Sequence, residues 1–140
     1  MPGKLIDTNI LVYAYDTSEG AKHEASKEVL RLIWIEGEGV VCVQNLMEFF
    51  VVITKKVENP VDMTTAKEIA RDFMRSEKWT IIDRDADTFL NAIDLVSQHG
   101  IHLWDAAIAA SMKENDVSEI VTENVKDFRK ISGLKVSCPF

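Results

Sequence analysis

Short apolar runs alternate with longer amphipathic segments along the whole chain. The runs predict strands that end at residue 6 and that span residues 40–43, 79–82, 119–122 and 134–136. Between these runs, apolar residues recur at the three- and four-residue spacing of helices. Strands that are apolar throughout are typical of a parallel sheet covered on both faces. The pattern therefore predicts one α/β domain over residues 1–140, a three-layer α/β/α sandwich with a mostly parallel central sheet.

The helices predicted between these strands differ in how clearly their ends are marked. They comprise a short helix after residue 9, segments 23–36, 46–55 and 65–76, a helix from 83–85 to Gly100, one that opens at residue 103, and segment 126–130. Thr65, with Glu68 three residues later, has the pattern of a capping box. We therefore expect the 65–76 helix to begin at Thr65.

The sequence also predicts whether two sets of large apolar side chains lie in the core or at the surface. The helix that ends at Gly100 carries one set on a single side, which we expect to face the core: Phe89, Leu90, Ile93 and Val96. The second set lies either in the core, which such residues favour, or along a groove or dimer seam: Trp34, Met47, Phe49 and Phe50.

The composition is that of an ordinary globular protein, with 46% hydrophobic and 28% charged residues among 140. No apolar run is long enough to cross a membrane, and Asp7 interrupts the first one at once, so we expect neither membrane contact nor a signal peptide. Cys42 and Cys138 lack metal-type spacing, and we expect both to be reduced. These features favour a cytoplasmic protein.

The net charge of −7 argues against a protein that binds nucleic acid by charge alone. It fits carboxylates clustered around cations, or an acidic surface that receives a basic partner, while most of the charges are expected only to solubilise the surface. Lys126, Arg129 and Lys130 form a basic cluster near the predicted site and are candidates to hold substrate phosphates. The histidines lack metal-type spacing and are expected at the surface or in loops: His23, His99 and His102.

Acidic and polar residues follow the predicted strands at one edge of the sheet. Asp7 ends the first strand, Glu48 lies in the first turn of the helix after the second strand, and Asp105 opens an alanine-rich helix. Asn124 and Asp127 follow the strand that ends at residue 122. The carboxyl ends of parallel strands meet at one edge of a sheet, where ligands collect in open α/β folds. We therefore expect four segments to aim oxygen ligands at one region.

Carboxylates brought so close together raise one another's pKa unless a cation is present. Hard divalent cations prefer all-oxygen sites and promote phosphodiester hydrolysis by activating water and neutralising the phosphate. We predict a Mg²⁺ or Mn²⁺ site with Asp7, Glu48 and Asp105 as ligands. The alternative for Asp7 is that it only caps a helix. We expect Thr8, Asn9 and Thr122 to orient the carboxylates. On the capping alternative, Thr8 and Asn9 are ordinary turn residues.

Four segments of the chain form one combined pattern. They are Asp7-Thr8-Asn9 after a short strand, Glu48 alone early in a helix, residues 104–110 (WDAAIAA) and residues 121–128 (VTENVKDF). In order and spacing this pattern resembles the PIN domain, in particular the ribonuclease toxins of the VapC type, over essentially the whole chain. The resemblance implies a metal-dependent endoribonuclease that acts on RNA. It also implies an antitoxin encoded beside it and a homodimer, both of which are frequent among such proteins.

Carried over by position, the resemblance places Asp7, Glu48 and Asp105 at the three acidic positions of the family's site. The fourth position is Asn124 here, whose carbonyl can bind a metal but brings no charge, which weakens the expectation of a second metal. Two interpretations of Asp127 stay open: it supplies the missing carboxylate, or it caps the short helix that follows.

Three functions fit this sequence. The favoured one is the toxin of a VapBC-type pair, an endoribonuclease that cleaves RNA and is inhibited by a basic antitoxin. The second is a housekeeping RNA-processing or DNA-directed nuclease with the same site. The third is a catalytically silent PIN-like interaction module, which ranks last because all three acidic positions are retained.

Overall fold

The computed structural model describes residues 3–140, so the first two residues of the predicted domain lie outside the described range. The sheet order is β3-β2-β1-β4-β5, and every pairing among the described residues is parallel. The five strands are β1 (Lys4–Ile6), β2 (Gly39–Cys42), β3 (Trp79–Ile82), β4 (Glu119–Val121) and β5 (Lys135–Ser137). The predicted α/β architecture is confirmed.

Helices connect each pair of consecutive strands. They are α1 (Thr8–Tyr15), α2 (Ala21–Glu36), α3 (Val43–Lys55), α4 (Met63–Arg75), α5 (Ala86–His99), α6 (Leu103–Glu114) and α7 (Val125–Phe128). A single 3-10 turn at Thr17–Glu19 joins α1 to α2. Within the described part of the chain, no helix is both long enough and apolar enough for a membrane crossing.

The two faces of the sheet carry separate cores. Side chains alternate across a strand, so Leu5 and its neighbour Ile6 enter different cores. Leu5 packs in a cluster with residues of α5, α6 and α7, whereas Ile6 packs in a cluster with residues of α1 to α4. The chain therefore forms three layers, and both sides of the sheet are covered by helices.

The start of α3 differs from the prediction. The sequence predicts this helix over residues 46–55, but α3 begins three residues earlier, at Val43. The reason is the side chain of Asn45, whose Oδ1 accepts the backbone N–H of Cys42 at 2.9 Å and so stabilises the first turn. The prediction that Glu48 lies in the first turn is therefore wrong, and Glu48 lies in the second.

The start of α4 was also misplaced. The cap is Asp62, whose carboxylate accepts the backbone N–H of Thr65 at 2.9 Å and its hydroxyl at 2.9 Å. Glu68 instead forms an exposed ion pair with Arg71 at 2.7 Å. The predicted capping box at Thr65 is wrong because a carboxylate three residues earlier caps the helix instead, and Thr65 lies inside it.

Of the four residues predicted to face the core from α5, Val96 packs against it, but the other three do not. Phe89, Leu90 and Ile93 are 52%, 60% and 43% exposed. The buried side of α5 carries Ala92 and Leu95 instead, and these pack in the same core as the alanines of α6. Ala92 and the alanines of α6 let the two helices approach closely, and Leu95 fills the core beside them. An apolar surface is left uncovered on this helix.

Three further predictions have mixed outcomes. Met47 is exposed while Phe49 lies in the core, and Trp34 and Phe50 are partly buried against that core. His23 is buried in α2, where its ring Nδ1 lies 2.8 Å from the carbonyl oxygen of Tyr13, so the predicted surface role is wrong. Both cysteines are free thiols, as expected.

Mutation can distinguish the observed cap of α4, Asp62, from the predicted capping box of Thr65 and Glu68. We expect Asp62→Ala to lower the thermal midpoint by about 2–5 °C, because a backbone N–H of the first turn loses its acceptor. We expect the control Glu68→Ala to shift the midpoint less, since an exposed ion pair contributes little. Thermal unfolding followed by circular dichroism measures both, and a larger effect of Glu68→Ala would contradict the observed cap.

Candidate functional site

The candidate site lies at the carboxyl ends of β1 and β4, where the strand order reverses direction. β2 and β3 lie on one side of β1, and β4 and β5 lie on the other. Connections leave such a point toward opposite faces of the sheet, and a crevice forms between them. An open cleft of about 470 Å³ is lined there by Asp7, Glu48, Asp105 and Asn124. The three predicted ligand carboxylates therefore share one cleft.

Asp7 is the most buried of these carboxylates, at 5% exposure. Its Oδ1 accepts the backbone N–H of Thr8 at 2.8 Å, and its Oδ2 accepts the hydroxyl of Thr122 at 2.7 Å. The side-chain amides of Asn9 and Asn45 each lie 3.4 Å from one of the two oxygens. Asp7 also stands at the N-cap of α1. Asp7 therefore caps the helix and also lines the cleft, and its role as a metal ligand stays a prediction.

Burial raises the pKa of Asp7 to about 6 from its ordinary value of 3.8. The hydrogen bonds from Thr122 and Thr8 oppose this and lower the pKa, while the negative charges of Asp105 and Glu48 raise it further. Desolvation dominates because the carboxylate lies beneath the surface at the end of a central strand. A buried carboxylate with a raised pKa gains most from a nearby positive charge.

Glu48 is exposed and is oriented by a chain of hydrogen bonds that begins at the end of β2. The N–H of Cys42 fixes the amide of Asn45 by donating to its oxygen, so the Asn45 NH₂ group faces the site. That NH₂ group donates to the hydroxyl of Thr8 at 3.1 Å, and the hydroxyl donates to Oε1 of Glu48 at 3.1 Å. A backbone group of the sheet therefore sets the direction of the hydroxyl that holds Glu48.

A second contact to Glu48 comes from the buried side chain of Gln44. The guanidinium of Arg84 donates to the amide oxygen of Gln44 at 2.7 Å. The Gln44 NH₂ group must then point the other way, and it donates to the backbone carbonyl of Trp104 at 3.3 Å and to Glu48 at 3.4 Å. Gln44 therefore links α3 to α6 beside the cleft.

Asn124 joins the remaining two carboxylates. Its NH₂ group lies 2.8 Å from Oδ2 of Asp105 and 3.2 Å from Oδ2 of Asp127. Burial raises the pKa of Asp105; the Asn124 contact and the charge of His102 lower it, and the charges of Asp127 and Glu48 raise it further. Asn124 thus presents its amide hydrogens, not its carbonyl, to the neighbouring acids.

Asp127 lies inside α7 rather than before it, and no side chain caps that helix. The interpretation of Asp127 as a cap is therefore wrong. The Asn124 contact, together with Lys130 at 3.5 Å, holds the pKa of Asp127 below its ordinary value. The predicted basic cluster at residues 126–130 does not line the cleft, whose basic residue is Lys56 at the end of α3.

The residues present fit a hard divalent cation by their chemistry. Among residues 3–140 no three acidic, histidine or cysteine side chains stand at the spacing of a formed metal site. The donor set is nevertheless three carboxylates around one cleft, one of them buried with a raised pKa. Such a set loses repulsion when a cation binds, and oxygen donors are those that Mg²⁺ and Mn²⁺ prefer.

The sequence prediction missed Gln44, Asn45 and Arg84. A usable signal existed for the first two, because a polar pair directly follows a strand at the same sheet edge as Asp7. Thr8, Asn9 and Thr122 were named, and each hydrogen-bonds Asp7 or Glu48. Arg84 carries no such signal, since its contact with Gln44 spans 40 residues.

Comparison with known proteins gives matches along nearly the full chain. Residues 4–134 match the family model described as PIN domain. Ribonuclease VapC24 of Mycobacterium tuberculosis is 26% identical to this chain, over 96% of this chain and 94% of the relative.

Solved structures give the same picture. A toxin-antitoxin complex from Klebsiella pneumoniae contains a chain that is 25% identical with a TM-score of 0.68, over 99% of this chain and 98% of that one. VapBC2 from Rickettsia felis, bound to a DNA fragment from their promoter, is 22% identical with a TM-score of 0.66, over 96% and 97% of the two chains. The second likeness shows a shared fold.

The raised pKa of Asp7 predicts a pH-dependent stability. In the folded protein this pKa is about 6, against 3.8 ordinarily, so between these values the folded state binds the proton more tightly. Stability in EDTA should therefore fall as pH rises from about 4 to about 6 and level off above, because rising pH removes a proton that folding retains. A shift of about two pKa units corresponds to roughly 3 kcal/mol.

The measurement is thermal unfolding from pH 4 to 7.5 in EDTA, for the wild type and for Asp7→Asn. The variant lacks the titrating group, so the midpoint of the wild type should fall relative to that of the variant as pH rises to about 6. A constant difference between the two midpoints over this range would show that the pKa of Asp7 is not raised.

Proposed function

Because this chain belongs to the PIN domain family, we propose that it is a metal-dependent endoribonuclease, the toxin of a VapBC-type pair, acting in the cytoplasm. The observation that carries the proposal is the cleft at the end of β1 and β4, which gathers Asp7, Glu48 and Asp105. The relative from Mycobacterium tuberculosis, named a ribonuclease, supports RNA as the substrate. The structural neighbour from Klebsiella pneumoniae, a toxin-antitoxin complex, supports the assignment as the toxin of such a pair.

Asp7, Glu48 and Asp105 are the residues proposed to hold Mg²⁺ or Mn²⁺. When bound, such a cation supplies an activated water and neutralises charge on the phosphate. Thr122 and Thr8 fix the directions of Asp7 and Glu48 by donating hydrogen bonds to them. Both oxygens of Asp7 accept hydrogen bonds, whereas only Oε1 of Glu48 does so among residues 3–140, which leaves Oε2 of Glu48 for a cation.

Asn124 and Asp127 are proposed to act on Asp105. The NH₂ group of Asn124 donates to Asp105 and holds it in place. The backbone of Asn124 is held in turn by the hydroxyl of Thr122, which accepts its N–H at 3.0 Å. Asp127 lies on the far side of Asn124 and is partly neutralised by Lys130. This arrangement favours one tightly held metal, because an amide replaces the fourth carboxylate.

The acidic charge of the chain supports a basic antitoxin as the inhibitor. The net charge is −7, and the cleft is lined by five carboxylates against the single basic residue Lys56. A basic segment of a partner could neutralise these carboxylates and exclude the cation. A small basic protein encoded beside this chain that blocks cleavage would favour the toxin over a housekeeping nuclease with the same site.

A second copy of the chain is proposed to cover the apolar surface of α5. Phe89, Leu90 and Ile93 lie exposed on one side of this helix. Phe89 also lines a hollow with Leu103 at the start of α6, so the surface continues onto that helix. Contiguous exposed apolar side chains commonly mark an interface, and closed homodimers are the commonest oligomers.

Cleavage of RNA should require metal and all three carboxylates. We expect Asp7→Asn, Glu48→Gln and Asp105→Asn each to lower the cleavage rate of a mixed RNA pool by about 100-fold or more, because each removes a charge that holds the cation. EDTA should abolish cleavage, and Mn²⁺ should restore it. The matched control is Asp94→Asn, which removes an exposed charge on α5 outside the cleft.

Calorimetry with Mn²⁺ on the same proteins provides a second measurement. Wild type and Asp94→Asn should bind the ion equally, and Asp7→Asn should bind it at least about tenfold more weakly. A wild-type protein that binds no divalent ion and cleaves no RNA would favour the silent interaction module.

The dimer proposal is tested by the mass of the protein in solution. Light scattering should give about twice the chain mass of 15.8 kDa for the wild type, and the chain mass for Ile93→Glu, which places a charge in the apolar surface. Met74→Glu is the control, since Met74 is similarly exposed but lies on α4. A monomeric wild type at high concentration would contradict the proposal.

A further inference from the structure

Trp104 is a large aromatic side chain at the rim of the candidate site. It is 60% exposed and directly precedes Asp105, whereas Trp79 is buried and Trp34 is partly buried. The indole stands between two hollows of about 270 and 390 Å³, both of which it lines. The smaller hollow shares Glu48 with the cleft. An aromatic surface is therefore presented beside the carboxylates.

Arg84 pairs with this indole. The carbon at the centre of its guanidinium lies 5.8 Å from the Trp104 ring centroid, a cation–π distance. Within residues 3–140, the guanidinium makes one hydrogen bond, to the amide oxygen of Gln44. A guanidinium has five N–H donors, so most of those of Arg84 are available to a further acceptor. A positive, donor-rich group thus stands at the edge of the aromatic surface.

The walls of the smaller hollow combine apolar and polar groups. Met47 and the indole of Trp104 provide apolar surface, while Gln44 and Arg84 provide a polar edge. Gln44 is held by three partners, so its position does not depend on a ligand. Nucleobases stack on exposed aromatic rings, and phosphates pair with arginine.

We propose that Trp104, Met47 and Arg84 form a nucleotide subsite that takes one unpaired base of the RNA strand, with the adjoining phosphate on Arg84. This proposal rests on the proposed ribonuclease function. The base stacks on the indole, and the phosphate accepts hydrogen bonds from the guanidinium. Because the hollow opens at Glu48, the bound nucleotide lies next to the phosphate that is cleaved, and the subsite selects single-stranded segments.

Charge distinguishes this occupant from a second copy of the chain. The uncovered side of α5 is apolar, with Phe89, Leu90 and Ile93, and suits another apolar surface. The smaller hollow instead carries an arginine with unused donors in a chain of net charge −7. An anionic strand that reaches an acidic cleft gains from a positive group at its entrance.

The test uses the fluorescence of Trp104, the most exposed of the three tryptophans. A single-stranded RNA oligonucleotide is titrated into the full chain in EDTA, where cleavage is absent. We expect RNA to quench the emission, with no quenching in Trp104→Phe. With Mn²⁺, Trp104→Ala and Arg84→Gln should each raise KM for RNA by about tenfold with a smaller change in kcat. Mn²⁺ affinity should stay unchanged in Trp104→Ala.

Leu90→Ala is the matched control, since it truncates an exposed apolar side chain of α5 that lines neither hollow. If quenching followed protein concentration rather than RNA, and Leu90→Ala weakened it equally, the indole would lie in a dimer interface and the proposal would be overturned. Unchanged KM in Trp104→Ala would also overturn it while the nuclease stands. A wild type that shows quenching by RNA but no metal-dependent cleavage would support the subsite and contradict the ribonuclease.

Discussion

The burial of one carboxylate at the end of the first strand constrains the rest of this site. Asp7 lies at 5% exposure, and its pKa rises to about 6 because burial disfavours the charge. Donors from three other segments surround it: the hydroxyl of Thr122 after β4, the amide of Asn45 in α3 and the amide of Asn9 in α1. These hydrogen bonds offset only part of the free-energy cost of burying the Asp7 charge, so a bound cation would stabilise that charge further.

Two of the donors around Asp7 are oriented by backbone N–H groups, one at the end of β2 and one in the loop after β4. The N–H of Cys42 turns the amide of Asn45, and the N–H of Asn124 occupies the hydroxyl oxygen of Thr122. An amide whose oxygen accepts a hydrogen bond on one side presents its NH₂ group on the other. The polar network is thus set by secondary structure, and the site exists as part of the fold.

The surface next to the site follows from how the helices pack. α6 is rich in alanine, and α5 packs on it through Ala92 and Leu95, which leaves Phe89, Leu90 and Ile93 exposed. Trp104 is likewise left at the surface, at the first turn of α6. Close helix packing therefore produces both the apolar side of α5 and the aromatic rim of the cleft.

The sequence by itself determined the element order, the parallel sheet and the three carboxylates, because apolar runs and the residues that follow them are local features of the chain. It failed where a distant group decides, at Arg84 and at the outward face of α5. A side chain such as that of Gln44 is directed by Arg84 and Trp104, 40 and 60 residues away. Only the tertiary structure sets such contacts, because they depend on which elements lie side by side and not on the period of the sequence.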